Sequence, residues 1–367
     1  MEVFIMAKHD KKDQIKNLLD LESDNGPVLT ITVPLDPKED NTRRDNTQIN
    51  SLVDTAKKAF QKQYKPELWN AYDFQIKNYL KTLQPKSTIA KGIIMYVTND
   101  SIEVAQLNYA PQTAFSFSDR LQILPIVRQY QFVPDFDMLF LQRDDFKVFH
   151  VNDLNVIDDD TDTPDPFDSD KTETETQDDP RKNGAKWDTH EYYELVDKYV
   201  QKHVSNKDHN PLVVVANAED EGRFNRATHN PYVVEDKHVE MDAAVKNAGE
   251  NVQEVAQTIH DNFVSDGEKS MKNVYDKADG AKKTTDDYDQ ILKAAIDDRI
   301  ANLIIQQDAY VESKDNGEDV EVNSEGSRPA NELNSLALTV LGLDGDVTVL
   351  PASDMPTDKK VSAILRW

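Results

Sequence analysis

The sequence predicts an α/β protein of three domains. Three observations carry this: amphipathic helical stripes alternate with short strand runs, the 367 residues exceed one domain at roughly 100–200 residues each, and composition changes sharply along the chain. The expected divisions are 1–132, an N-terminal α/β domain; 133–278, a central domain with a mixed sheet; and 279–367, a C-terminal α/β domain.

A helical pattern over residues 11–21 precedes the strand VLTITVPL, whose β-branched residues alternate with a period of two. Residues 46–64 then place Ile49, Leu52, Val53, Ala56 and Phe60 on one stripe, and Pro66 opens the next helix toward Leu83. GIIMYVTND and SIEVAQLNY follow as two strands joined at Asn99-Asp100 in a hairpin. The first domain is expected to end near Tyr130.

MLFLQRDDFKVFHVNDLNVID reads as a meander of three strands, broken at Arg143-Asp144-Asp145 and Asn152-Asp153. Residues 158–187 hold almost nothing apolar, so they cannot offset their own ordering entropy and are expected to form a disordered acidic loop. A helix should follow. Asp188 and Glu191 have capping-box spacing, and Tyr192, Leu195, Val196, Tyr199 and Val200 form its stripe. LVVVA is a continuous apolar run of the kind that fills a buried parallel strand. A long polar helix is expected over 251–277, and ADGAKKTT marks a boundary. Beyond it come a helix over 286–299, the strand ANLIIQ, an acidic loop over 314–327, a helix over 330–341 and the strands DVTVLP and VSAILRW. That order predicts a small, largely parallel sheet with right-handed crossovers.

The net charge is −26, which opposes general binding to nucleic acid and confines any RNA contact to a local patch. Much of the excess lies between residues 158 and 179, where nine Asp and two Glu face one Lys. The absence of cysteine excludes disulfides, thiolate catalysis and cysteine-ligated metal, and suits a reducing compartment. No apolar run approaches the roughly 18–20 residues of a membrane span, and the N-terminus has no secretory pattern. A cytoplasmic location is expected.

Phosphate-binding and serine-hydrolase motifs are missing from the sequence. His190-Glu191-Tyr192-Tyr193-Glu194 lacks the second histidine of a helical zinc motif, so Tyr192 and Tyr193 read as helix residues, one packing and one at the edge. In KHVEMD, His238, Glu240 and Asp242 would share one face of a strand; a solvated face is favoured over a metal or acid–base cluster. No cofactor and no metal is expected. The sharpest local change is at Arg181, Lys182, Asn183, Gly184, Ala185, Lys186 and Trp187, where the acidic run turns basic just before a helix.

NELNSLALTVLGLDGDVTVLPASDMPTDKKVSAILRW, after a helix and RIANLII, resembles the closing domain of bacterial proteins related to archaeo-eukaryotic peptide-chain release factors. Its marks are the alanine-bearing helix, Gly345, Pro351, the Asp354-Met355-Pro356 turn and the last strand. The meander, the helix HEYYELVDKYV and PLVVVA resemble that family's central RNase H-like domain. The resemblance spans about 133–367 and implies a C-terminal α/β sandwich of release-factor type. In true release factors the equivalent of residues 158–187 carries Gly-Gly-Gln at its tip. Here that loop offers Asn183-Gly184-Ala185, and an alanine has no polar group to orient water or bind an oxyanion.

The resemblance therefore implies a noncatalytic, ribosome-associated factor acting in stalling, stress or hibernation, without peptidyl-tRNA hydrolysis. Arg181, Lys182 and Lys186 would touch phosphate and Trp187 would stack on a base. The competing local reading is a flexible tether whose basic end neutralises the neighbouring acids. Two other functions stand beside this one: a metal-dependent hydrolase or nuclease using Asp137, Asp144, Glu219 and Asp220, and an acidic module that binds basic proteins through the loop.

Overall fold

The computed structural model describes residues 15, 18, 26–35, 42–82, 88–143, 145–158, 189–242, 244–311 and 331–367. The helix expected over 11–21 lies almost wholly outside them, although Ile15 and Leu18 are helical. The acidic stretches 159–187 and 314–327 also lie outside the described residues.

Strand β1 (Val28–Pro34) is followed by helices α1 (Thr42–Gln63) and α2 (Trp69–Thr82), a single 3₁₀ turn at Pro66–Leu68 leading into the second. The hairpin forms as expected: β2 (Gly92–Val97) and β3 (Ile102–Leu107) pair antiparallel. Two further elements follow, β4 (Ala114–Ser118) and the short α3 (Leu124–Tyr130). The sheet runs β3-β2-β1-β4. Alternation along β1 turns Leu29, Ile31 and Val33 into an aromatic core with Phe60, Trp69 and Tyr72 beneath the helices.

The meander appears as β5 (Phe136–Gln142), β6 (Asp145–Asn152) and β7 (Asn155–Asp158). Helix α4 (Thr189–Val200) continues through a π turn and a short helical turn to His209, whose φ of 58° ends it. Strand β8 (Leu212–Ala216), helix α5 (Ala218–Ala227), the two-residue β9 (Val239–Glu240) and the long α6 (Ala244–Gly280) come next. LVVVA is buried throughout and lies parallel to β5, as its apolar run requires. The five-stranded sheet is mixed, in the order β7-β6-β5-β8-β9. Leu139, Val148 and Val214 on one face meet Tyr192, Val196 and Val200 of α4 and Phe224 of α5. On the other face Phe136 meets Phe263 of α6. Leu195, expected in the stripe, is exposed, because a stripe as wide as the one drawn exceeds what one sheet face covers.

The chain closes with β10 (Thr284–Thr285), α7 (Tyr288–Ile296), β11 (Ile300–Gln306), α8 (Glu332–Gly342), β12 (Asp346–Leu350) and β13 (Val361–Leu365). The expectation of a largely parallel sheet is corrected. Only β11 and β12 run parallel; β13 inserts between β10 and β11 and is antiparallel to both. Residues 351–360 join β12 to β13 without a helix, and β13 passes over β11 to pair on its far side, so it lacks the helical crossover by which parallel neighbours are usually joined.

The backbone forms two compact units. One rests on Pro134–Phe263, and the other on His9–Lys86, Ala90–Val133 and Val264–Trp367. In the second unit, Val28, Ile94 and Ile126 from the early segment share one core with Ile291, Ile305, Leu333 and Val349 from the late one. Two carboxamides stitch these segments. Asn334 Nδ2 donates to the Leu121 carbonyl at 2.6 Å while its Oδ1 accepts from Ile123 N–H at 2.7 Å, and Gln131 binds both backbone groups of Val349 in the same way.

Candidate functional site

The sequence points to the loop between β7 and α4, and Arg181, Lys182, Asn183, Gly184, Lys186 and Trp187 all lie outside the described residues. The described residues define the frame on which that loop is mounted. It departs from Asp158 on the edge strand of the five-stranded sheet and returns at Thr189, where α4 begins.

Near that return, the first turn of α4 meets the carboxyl end of β8. Tyr193 is fully buried, and its hydroxyl donates to Asp220 Oδ1 at 2.6 Å. Asn217 caps α5: its Oδ1 accepts from the backbone N–H groups of Glu219 and Asp220, and its Nδ2 donates to Asp220 Oδ2 at 2.7 Å. Burial and the Asp220 carboxylate push the Tyr193 hydroxyl well above its ordinary range, so it remains a donor. Tyr193 is thus a packing residue as fully as Tyr192, which corrects the expectation that one of the pair would sit at the edge. Its polar tip needed a buried partner, and the cap of α5 supplies one. Both Asp220 oxygens thus accept a side-chain hydrogen bond. Glu219 pairs with Arg223 one turn on.

A second polar group sits at the opposite end of the sheet. Asp137, in register with Leu212 at the start of β8, is fully buried and meets His150 Nδ1 at 2.8 Å through Oδ1, with Asn210 Nδ2 at 3.3 Å from the same oxygen. His150 lies directly opposite on β6, and Asp208 Oδ2 stands 3.9 Å from His150 Nδ1. Burial drives the Asp137 carboxyl above its ordinary value, against the lowering pull of His150, and its Oδ2 has no hydrogen-bond partner. Among the described residues, Asp137, His150 and Asp208 are the one group with donor atoms close enough together to hold a cation. The 2.8 Å contact gives Asp137 Oδ1 a partner without one.

Of the carboxylates expected to converge for metal-dependent cleavage, Asp137 lies apart from Glu219 and Asp220. Asp144 lies outside the described residues. Asp137 marks the amino end of the parallel strands and Asp220 follows their carboxyl end. At about 3.3 Å per residue, the intervening strand alone separates them by about 13 Å, too far to share an ion. His238 also follows the favoured reading: β9 has two residues, Glu240 is exposed, and His238 pairs with Glu221 at 3.4 Å.

Residues 135–299 match the family profile described as Bacterial archaeo-eukaryotic release factor family 3. Over that stretch, which covers the five-stranded sheet, α4 to α6 and the loop between β7 and α4, the resemblance read from the sequence is shown. No curated protein matches the chain. Among solved structures, Pelota of Archaeoglobus fulgidus aligns at 12% identity over 75% of this chain and 79% of that one, with a TM-score of 0.39. Dom34 of S. cerevisiae, a translation termination-like factor, aligns at 13% identity over 75% and 79%, with a TM-score of 0.37. An archaeal translation termination factor, aRF1, aligns over 98% of each chain at 10% identity, with a TM-score of 0.24. No helix among the described residues is long and apolar enough to cross a membrane.

Proposed function

We propose that this protein is a release-factor-like, ribosome-associated factor that docks without hydrolysing peptidyl-tRNA. It reads as three domains, the central one RNase H-like and the last of release-factor type, acting in the cytoplasm. The observation that supports this most is the family match over residues 135–299, inside which the loop tip reads Asn183-Gly184-Ala185. A glutamine amide at the third place would hold a water; an alanine methyl cannot. What the loop retains is basic and aromatic: Arg181, Lys182 and Lys186 for phosphate, and Trp187 for a base. Glu219 and Asp220 are tied into the cap and an ion pair of α5, at the opposite end of the sheet from Asp137, which favours docking over cleavage by those carboxylates together.

Docking in a tRNA site during stalling, stress or dormancy fits a protein that keeps the shape and loses the reactive tip. Sedimentation of lysates from starved cells at low salt tests the reading, with the protein followed across the gradient beside ribosomal RNA. The protein is expected to travel with ribosomal particles and to leave them as salt rises, because the contacts proposed are to phosphate. Its consistent absence from ribosomal fractions would overturn the reading.

A further inference from the structure

At the amino end of the five-stranded sheet, side chains from three separate elements converge. Asp137 comes from β5, His150 from the directly opposed position of β6, and Asp208 from the end of the short helical turn Asn206–Asp208 beyond α4. His209 follows at φ 58°, ending that turn and leaving Asp208 beside His150. The donor atoms of the three side chains all lie within 4.8 Å of one another.

The charges do not balance within the group. Two carboxylates face one imidazole, which carries at most one positive charge. Asp137 is fully buried; its Oδ1 meets His150 Nδ1 at 2.8 Å and Asn210 Nδ2 at 3.3 Å, while its Oδ2 has no hydrogen-bond partner. A buried carboxylate left half-satisfied is costly, and it persists where a proton or a cation offsets its charge. A proton held between Nδ1 and Oδ1 is out of hydrogen-bond reach of Asp208, whose Oδ2 stands 3.9 Å from the same nitrogen. A divalent cation serves all three.

Spacing and access both suit an ion. Nitrogen and oxygen ligands bound to one cation at about 2.0–2.2 Å stand about 3–4 Å apart, close to the 2.8 and 3.9 Å found here. The Asp208 side chain is 45% exposed and that of His150 15%, so an ion enters past Asp208 and takes the place of the proton between Nδ1 and Oδ1. The buried Oδ2 needs no surface of its own, because a cation on Oδ1 offsets the charge of the whole carboxylate. One imidazole nitrogen with two carboxylate oxygens is a borderline donor set. It favours zinc or manganese over magnesium and calcium, which prefer oxygen alone, and over copper(I), which prefers sulfur.

We propose that Asp137, His150 and Asp208 form a binding site for one first-row divalent transition-metal cation, zinc or manganese. Water completes the coordination on the exposed side. The ion ties the helical turn after α4 to β5 and β6. It lies at the opposite end of the sheet from Asp220, and so stands apart from the docking proposed for the loop before α4.

Titration calorimetry of the chelator-treated full chain with zinc chloride and with manganese chloride tests the proposal, with magnesium chloride as the oxygen-preferring control. One equivalent of zinc or manganese is expected to bind with Kd below about 10 μM and to raise the melting temperature by about 5 °C at saturation. Asp208→Asn, on the exposed side, removes one ligand and leaves the Asp137–His150 contact in place. It should weaken that equivalent more than about tenfold, while the metal-free proteins melt alike. His150→Asn, whose carboxamide can still donate to Asp137, should weaken it as much. The proposal is overturned if neither zinc nor manganese binds at about 100 μM, if Asp208→Asn binds the ion as tightly as wild type, or if magnesium binds as tightly as either. Ribosome association is read by sedimentation and stands or falls separately.

Discussion

The two compact units are assembled by opposite routes. Pro134–Phe263 build most of one, and a short earlier segment joins it, where Thr88 bridges to Asn155 and the Ile89 N–H donates to the Leu154 carbonyl. The other draws on both ends of the chain and joins them through a common apolar core and side chains such as Asn334, which reaches backbone more than two hundred residues away. The difference is where each unit keeps its buried polar groups. The first unit pairs them across its own helices and strands, as in Tyr193–Asp220–Asn217 and Asp197 with Thr228 and His229. The composite unit uses amides as stitches.

Substitutions can break or sharpen that contrast. The largest effect is expected at His150→Ala, which leaves the buried Asp137 carboxyl only the longer contact from Asn210. A cost of about 3 kcal/mol in urea unfolding follows from breaking a buried pair on one side. Asn334→Ala should cost about 2 kcal/mol by leaving the Leu121 carbonyl and the Ile123 N–H without a partner. Hydrogen exchange in this variant should rise in the composite unit alone; exchange rising equally in both units would mean that they unfold together. Tyr193→Phe, which removes one neutral donor from Asp220, should cost about 1–2 kcal/mol.

The smallest effect is one of pH. The folded carboxyl of Asp137 titrates above its ordinary value, so its stabilising contribution is complete below that ordinary value and is lost as pH rises through the raised one. Wild type should therefore gain stability relative to Asp137→Asn as pH falls from neutral toward about 4. His150, Asp208 and Asn210 face the same carboxyl, so the comparison must hold them constant. A difference that shrinks with acidification would contradict the direction assigned.

Legibility in the sequence follows the same division. The meander, the helix of α4 and the buried strand β8 were readable because each is a local pattern whose partners lie nearby. Strand β4 was not anticipated, though Phe115 and Phe117 alternate with Ser116 and Ser118; five residues carry too little periodicity to stand out. Helix α3, seven residues long, escaped for the same reason. The placement of β13 between β10 and β11 depends on which edge a final strand finds, which no local pattern encodes. Tyr193 is a similar case, since its buried partner lies 27 residues away. The proposed loop tip is a reading of sequence alone, since Asn183, Gly184 and Ala185 lie outside the described residues. Asp137 was named as a metal ligand with other partners, because His150 and Asp208 join it only through the pairing of β5 with β6 and the turn before β8.

The central claim is that the release-factor-like frame persists without the side chain that steers water at its tip. Incubating the purified protein with ribosomes carrying labelled peptidyl-tRNA, and measuring the peptide freed from the ester, tests it most directly. Release at the rate seen without the protein, at concentrations where it co-sediments with those ribosomes, is the predicted result. Release that rises with protein concentration would contradict it.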